Sequence, residues 1–436
     1  MSKKITVIGT GYVGLVAAVG LADFGNTLIG VDIDKTKINT LNEGIPTIYE
    51  PGIGEYLQRN IKAGRLDFTA DIGEAIKKSE VIFIAVGTPP KNEGDVDLSQ
   101  VESVVKSIGA HITSYKVIVT KSTVPIGTNK WIKETIKKES GFDDFDIVSN
   151  PEFLREGKAV HDFFHPDRII IGFESDRAKE YMTDIYRPLY LIQTPFVWCN
   201  IETAELIKYA SNTFLATKIT FINQMANLAE AINADIHMIA KAMGMDGRIS
   251  SKFLHPGPGY GGSCFPKDTT ALIHIGESVG VDMSLVREVV KANERQKYLM
   301  VDKLKDGLGE LKGTVIALLG LAFKAETDDV RDSPAINIVE KLLKAGAAVK
   351  AHDPKGIENF KKIFPETEVQ YFENEFSAIE GTDAILICTE WNEYRNLDLE
   401  KAKTLMRGNL ILDTRNVLDI ESTKKLGFIY KGLGRT

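Results

Sequence analysis

The opening of the chain constrains the fold more than any other stretch. Lys4 to Ile8 is a short, β-rich apolar run of the kind buried on both faces of a parallel sheet. Gly9-Thr10-Gly11-Tyr12-Val13-Gly14 follows at once, then an apolar helical pattern through Phe24 with a stop at Gly25. A second apolar run, Thr27 to Val31, ends in Asp32. This is G-x-G-x-x-G in the context it needs: strand, tight turn, helix, strand, terminal carboxylate. Gly9 makes the turn, Gly11 lets the backbone approach a pyrophosphate, and Gly14 allows close helix–strand packing. The phosphates rest on the helix N-terminus, where N–H groups lack partners. Asp32 accepts from a ribose hydroxyl and repels an additional phosphate, which favours NAD over NADP, although Lys35 and Lys37 carry the opposite charge nearby.

More strand–helix alternation follows. Strands are predicted over Val81 to Val86, Lys116 to Thr120 and Asp146 to Ser149. Each runs into a polar loop, and Thr88, Thr123 and Glu152 stand there. Ligands of open parallel sheets bind beyond the carboxyl ends of the strands. Asn150 suits an N-cap and Pro151 a first helical residue, so a helix is predicted that would put Glu152 and Glu156 on one face. Two carboxylates there serve a site or merely complement the helix dipole. His161 and His165 have a metal-compatible spacing but no evident third ligand, so no metal is expected.

From Glu202 the pattern changes to long helical periodicity, with Lys208 and Asn212 one turn apart inside it. Both are donors and suit a developing oxyanion; alternatively Lys208 pairs with Glu205 and Asn212 is solvated. A helix over Asp235 to Met243 and a loop holding Arg248 lead to Gly257-Pro-Gly-Tyr-Gly-Gly-Ser-Cys-Phe-Pro-Lys-Asp268. So many glycines belong where the backbone approaches something closely or reaches positive φ. They deliver Cys264 to the start of a helix beginning near Pro266. A helix N-terminus and Lys267 both favour thiolate, and Asp268 lies about one turn away. The competing reading is a small buried cysteine in a turn. Helix is predicted again over Val281 to Lys303.

After Gly313 the α/β alternation restarts, with strands over Thr314 to Leu319, Ala348 to His352, Ala384 to Cys388 and Leu410 to Asp413. This second doubly wound domain lacks G-x-G-x-x-G, so it should not take a second dinucleotide. Lys324, Arg331 and Arg415 fall in its loops, as phosphate ligands or as surface charge. The expected fold is α/β: two doubly wound Rossmann-like domains joined by a central helical region with a long helix. The expected boundaries are 1–198, 199–300 and 301–436.

With 60 acidic against 53 basic residues and no long basic run, nucleic acid is not an expected partner. Three dispersed cysteines make no disulfide framework. No signal peptide and no membrane span are visible, so a cytoplasmic protein is expected.

NAD and a nucleophilic cysteine together suggest oxidation of an aldehyde through a thioester. At this level the chain resembles the nucleotide-sugar dehydrogenases, the UDP-glucose/GDP-mannose dehydrogenase family. The resemblance lies in VIGTGYVGLVAAVGLADFGN, VGTPP, KSTVPIGT, NPEFLREGKAVHDFFHPDRIIIG, ETAELIKYASNTFLATKITFINQMANL, GPGYGGSCFPKD and LAFKAETDDVRDSP, in family order from end to end. NPEFLREG and the cysteine stretch fit the branch that oxidises UDP-glucose to UDP-glucuronate with two NAD. The alternatives are the same chemistry on GDP-mannose or a UDP-N-acetylhexosamine, or a non-catalytic nucleotide-binding protein.

The resemblance implies roles for individual residues. Cys264 is the nucleophile, Lys208 and Asn212 stabilise the oxyanion and also touch substrate, and Asp268 assists proton transfer. Thr123 and Glu152 hold a water. Gly9, Gly11, Val13, Gly14, Asp32, Lys37, Thr88, Thr123, Glu156 and Arg331 line the NAD site; position 37 is Lys where many members have Arg. Phe153, Leu154, Arg155, Phe253, Gly261, Lys324 and Arg415 grip the substrate. Arg248 reaches a partner subunit's substrate, which implies a homodimer or higher homo-oligomer.

Overall fold

A run of apolar residues can be buried on both faces only if alternate side chains feed different cores. In the computed structural model, which describes residues 2–91 and 94–435, this is how the strands behave. Val7 packs into one apolar cluster with Leu15 and Val19, whereas Ile8 packs into another with Ile84 and Val105. Val117 and Val119 join the first and Ile118 the second. The chain divides into two compact units, Met1–Ser211 and Asn212–Thr436.

The first unit holds β1 (Lys4–Ile8), β2 (Thr27–Val31), β3 (Leu66–Thr69), β4 (Val81–Ile84), β5 (Lys116–Thr120), β6 (Phe145–Ser149), β7 (Ile169–Gly172) and β8 (Phe196–Cys199). They form one eight-stranded sheet in the order β3-β2-β1-β4-β5-β6-β7-β8. Every pairing is parallel except β6 with β7, which meet antiparallel at Ser149 and Gly172. The order reverses at β1, and the crevice outside β1 and β4 is where such sheets take ligands.

The second unit holds β9 (Val315–Leu319), β10 (Ala348–His352), β11 (Gln370–Tyr371), β12 (Ala384–Ile387), β13 (Leu410–Asp413) and β14 (Ile429–Gly432). They form an all-parallel sheet ordered β11-β10-β9-β12-β13-β14, again doubly wound. The helix Ile201–Ala231, 31 residues long, gives residues 201–211 to the first unit and 212–231 to the second. Phe265–Ser278 and Ser284–Leu308 are further helices of the second unit. No helix among the described residues is long and apolar enough to cross a membrane.

One expected helix does not form. Residues 151–158 are irregular, and the next helix is Ala159–Phe164. The Asn150 side chain, expected as a cap, is used elsewhere. Its amide donates to the Ile170 carbonyl at 2.8 Å, and its Oδ1 accepts from Tyr186 at 2.7 Å and Lys121 at 3.2 Å. Glu152 and Glu156 therefore do not share a helix face. Gly157, at φ 77°, has its N–H on the Glu50 carboxylate at 2.7 Å.

Candidate active site

In the first unit the glycine loop has three different reasons for its glycines. Gly9 sits at φ 96°, and a Cβ there would lie 2.7 Å from the Ala85 carbonyl oxygen. A Cβ at Gly14 would lie 1.8 Å from the Gly9 carbonyl oxygen, so the helix Tyr12–Asp23 can pack here only with glycine. A Cβ at Gly11 would meet nothing within 4 Å. Packing explains Gly9 and Gly14; Gly11 instead leaves an open approach to the N-terminus of that helix, with Val13 in its first turn. An anion there meets backbone N–H groups and the positive end of the dipole.

Asp32 lies at the carboxyl end of β2. Its Oδ2 accepts from Thr10 N at 3.0 Å, Thr10 Oγ1 at 2.7 Å and Lys37 Nζ at 3.0 Å, and its Oδ1 from Asp34 N at 3.2 Å. Burial works to raise its pKa; the bonds from Thr10, Asp34 and Lys37 outweigh that and hold it below the usual carboxylate value. Thr88 and Thr123 are joined by a bond from the Thr88 hydroxyl to the Thr123 carbonyl at 2.9 Å.

A buried ion pair stands beyond β6. Lys208 Nζ donates to Glu152 Oε1 at 2.8 Å and to the Glu152 carbonyl at 2.6 Å, with both side chains almost fully buried. Glu152 Oε2 accepts from Leu154 N at 2.6 Å. Burial alone would raise the Glu152 pKa; the Lys208 charge and hydrogen bond, the Leu154 N–H and the Lys121 charge bring it below the ordinary value. Lys208 thus pairs with Glu152, whereas Glu205 accepts from Gly127 N, Asn129 N and Asn129 Nδ2. Phe153 lies under Lys208 and Arg168, 5.2 and 3.8 Å from its ring centre. Arg155 is held by Asp162 through its backbone N–H, Nε and Nη2. Glu156 is half-buried.

In the second unit Cys264 is the N-cap of the helix Phe265–Ser278, with Pro266 in its first turn. Its carbonyl accepts the Asp268 N–H at 2.9 Å, and its sulfur lies 3.6 Å from Ser263 Oγ. Asp268 is 1% exposed; Oδ2 accepts from Asn212 Nδ2 at 2.6 Å, and Oδ1 pairs with Lys267 Nζ at 2.9 Å. Asn212 is therefore buried rather than solvated. The glycines before the cysteine answer to close approach: a Cβ at Gly261 would lie 2.2 Å from the Asp332 carbonyl oxygen. Gly262, at φ 80°, donates its N–H to the Arg331 carbonyl at 2.9 Å.

The remaining expected residues of this unit fall in its loops. Arg415, mostly buried, donates to the carbonyls of Cys388 (2.8 Å) and Phe323 (3.0 Å) and pairs with Glu390 at 3.1 Å. Lys324 Nζ lies 5.4 Å from the centre of the Phe323 ring. Phe253, in the left-handed region at φ 65°, meets Phe265 edge-on. Arg331 is held by both oxygens of Asp329, and the exposed Arg248 by Asp246.

Three family models match in succession: "UDP-glucose/GDP-mannose dehydrogenase family, NAD binding domain" over residues 3–190, the central domain over 202–295, and the UDP binding domain over 317–420. The chain belongs to the UDP-glucose/GDP-mannose dehydrogenase family. It is 47% identical over 434 residues to the UDP-glucose 6-dehydrogenase TuaD of Bacillus subtilis, covering 99% of this chain and 93% of the relative. It is also 47% identical to a UDP-glucose 6-dehydrogenase of Rhizobium meliloti, covering 99% of each. A UDP-glucose dehydrogenase structure from Pyrobaculum islandicum superposes with TM-score 0.93 at 38% identity, over 100% of this chain and 98% of the other. A UDP-D-ManNAc dehydrogenase of Pyrococcus horikoshii gives 0.87 at 29%, over 99% of each.

As a member of this family the chain uses NAD. The residues present fit that cofactor: Gly11 leaves an open cradle at a helix N-terminus, and Asp32 supplies a carboxylate at the end of β2. Sequence reasoning missed Asp162 and Lys121 and read Asn150 only as a helix cap. Their partners lie in other elements or loops, so no local spacing announces them.

Proposed function

We propose that this chain oxidises UDP-glucose to UDP-glucuronate, using two NAD per sugar, with Cys264 as the covalent nucleophile. The observation that carries the reading is the joint presence of two things: identity of 47% along the whole chain to UDP-glucose 6-dehydrogenases, and Cys264 at a helix N-cap one turn from a buried Asp268. NAD, when bound, supplies the hydride acceptor for each oxidation.

The chain's own residues do the rest. Glu152 and Thr123 hold a water that relays the proton leaving the sugar hydroxyl. The Cys264 sulfur adds to the resulting aldehyde carbon, its proton passing to Asp268, and the carbonyl oxygen becomes an alkoxide. Lys208 and Asn212 stabilise that charge until the alkoxide takes the proton from Asp268, and then hold the thiohemiacetal hydroxyl. Loss of hydride and of the hydroxyl proton leaves a thioester on Cys264. Water adds to it, the C–S bond breaks, and the products are the carboxylate and the free thiol. Phe153, Leu154, Arg155, Phe253, Gly261, Lys324 and Arg415 hold the nucleotide sugar; Val13, Lys37, Thr88, Glu156 and Arg331 belong to the NAD site. The division 1–198, 199–300 and 301–436 is part of this reading, supported by the three consecutive family models. So are a homo-oligomer, in which Arg248 serves a partner subunit, and a reducing, cytoplasmic setting that keeps Cys264 a thiol.

The test is the NADH released from limiting UDP-glucose with excess NAD. About two NADH per sugar is the expected outcome for alcohol-to-acid oxidation. One NADH per sugar would remove the thioester role, and none would reassign the substrate.

A further inference from the structure

Lys121 follows β5 and is 5% exposed. Its Nζ donates to the Asn150 carbonyl at 3.3 Å and to Asn150 Oδ1 at 3.2 Å. Two residues further along the same segment, Lys208 Nζ grips the Glu152 carbonyl and carboxylate. Lys208 thus contacts the buried Glu152 carboxylate, and the buried Lys121 ammonium acts on it through charge alone. A third buried group, the Tyr186 phenol, fixes the orientation of Asn150. The charged groups facing Lys121 are Glu152, from the segment after β6, and Lys208, from the long helix. Arg168 lies over the Phe153 ring, as Lys208 does.

We propose that Lys121 is a positioning residue of this site: its ammonium, anchored on Asn150, holds the Asn150–Glu152 segment in place and keeps Glu152 an ionised proton acceptor. The inference rests on the reading of Glu152 as an acid–base group. An ion pair with one cation is neutral; with Lys121 the cluster carries an excess positive charge away from water, which is costly. The excess disfavours a proton on Glu152. It also loosens Lys121's own proton: burial, opposed by the Glu152 charge and aided by Lys208, brings its pKa down to about 8. Lys121 is thus charged at neutral pH and loses its charge in the mildly alkaline range.

The experiment compares the parent, Lys121→Met and Lys121→Arg by kcat and KM against pH. In Lys121→Met, kcat falls roughly 10- to 100-fold, as for a misplaced catalytic group. KM for NAD and UDP-glucose stays within about threefold. The acid limb of kcat moves to higher pH, because Glu152 takes its proton more readily. Lys121→Arg keeps the acid limb where the parent has it, and its alkaline limb moves upward, because a guanidinium does not lose its proton there. An acid limb unmoved in Lys121→Met overturns the proposal whatever happens to kcat. If Lys121→Met does not fold, an unmoved alkaline limb in Lys121→Arg does so. A parent that releases no NADH from UDP-glucose would overturn the proposed function instead. Melting then decides this inference: between about pH 8 and 10.5 the unfolded lysine keeps a proton that the folded one has lost, so parent stability rises relative to Lys121→Met. A constant difference in Tm across that window overturns it.

Discussion

The Asn212 amide donates to the buried Asp268 carboxylate at 2.6 Å, so a residue of the long helix fixes the acid one turn beyond Cys264. Asn212→Ala removes the donor and leaves Asp268 Oδ2 buried without it. The expected cost is about 1–3 kcal/mol of stability, with kcat down on the order of 100-fold as for a lost oxyanion donor. Urea unfolding and initial rates measure both. Parent-like stability together with parent-like kcat would refute the role.

Cys264→Ser is expected to abolish NADH production from UDP-glucose while NAD still binds, because Gly11 and Asp32 belong to a different unit from the cysteine. Calorimetric titration with NAD and a turnover assay separate the two. Turnover at the parent's rate would mean that sulfur is not the nucleophile.

Much of this was legible in the sequence, and the failures have physical causes. β1, β2, β5, β10 and β13 start and stop where the predicted runs do, since a strand buried on both faces is apolar at most of its positions. β3, β8, β11 and β14 went unread because they are short and only partly buried, so no continuous apolar run marks them, and β7 because its run is only Ile169 to Ile171. The helix expected after Asn150 failed because Asn150 and Glu152 spend their side chains on Ile170, Tyr186, Lys121 and Lys208. A second carboxylate, Asp353, ends β10 as Asp32 ends β2, yet it accepts from the Leu321, Ala322 and Gly356 N–H groups and from the Trp391 indole. Those bonds tie its own loops together, which agrees with the missing G-x-G-x-x-G.

Glu152→Gln leaves Lys208 buried without its counter-charge, and the expected penalty near neutral pH is about 3–5 kcal/mol. The pH dependence has a definite sign. The Glu152 pKa is lowered by folding, so its contribution is complete above the ordinary value of 4.5 and is lost as pH falls through the lower folded value. The gap between parent and Glu152→Gln should therefore narrow in acid. Unfolding midpoints at neutral pH and below 4.5 test this. A gap that stays constant would mean that Glu152 is not charged in the fold.

Asp32→Ala is expected to weaken NAD binding by about 10- to 100-fold, the range for losing a hydrogen bond to a charged group. UDP binding should change little, because the family's UDP binding domain matches residues 317–420, far along the chain from Asp32. Titrations with NAD and with UDP check both. Equal losses would point to general unfolding of the first unit.

The three glycines of the first loop give the sharpest separation of fold from function. Alanine at Gly14 would put its Cβ 1.8 Å from a carbonyl oxygen of the backbone, and at Gly9 it would add strain at φ 96°. Both variants should lose stability, by about 1–3 kcal/mol or more, as over-packed positions do. Gly11 has φ −71° and no neighbour within 4 Å of a new Cβ, so Gly11→Ala should melt close to the parent. Its added methyl nevertheless stands at the helix N-terminus, where the pyrophosphate approaches. The expected result is an almost unchanged Tm with NAD affinity reduced by about tenfold or more, equivalent to 1.4 kcal/mol or more. Thermal melts and NAD titrations on Gly11→Ala decide the matter: full affinity would show that the phosphates do not rest on this loop.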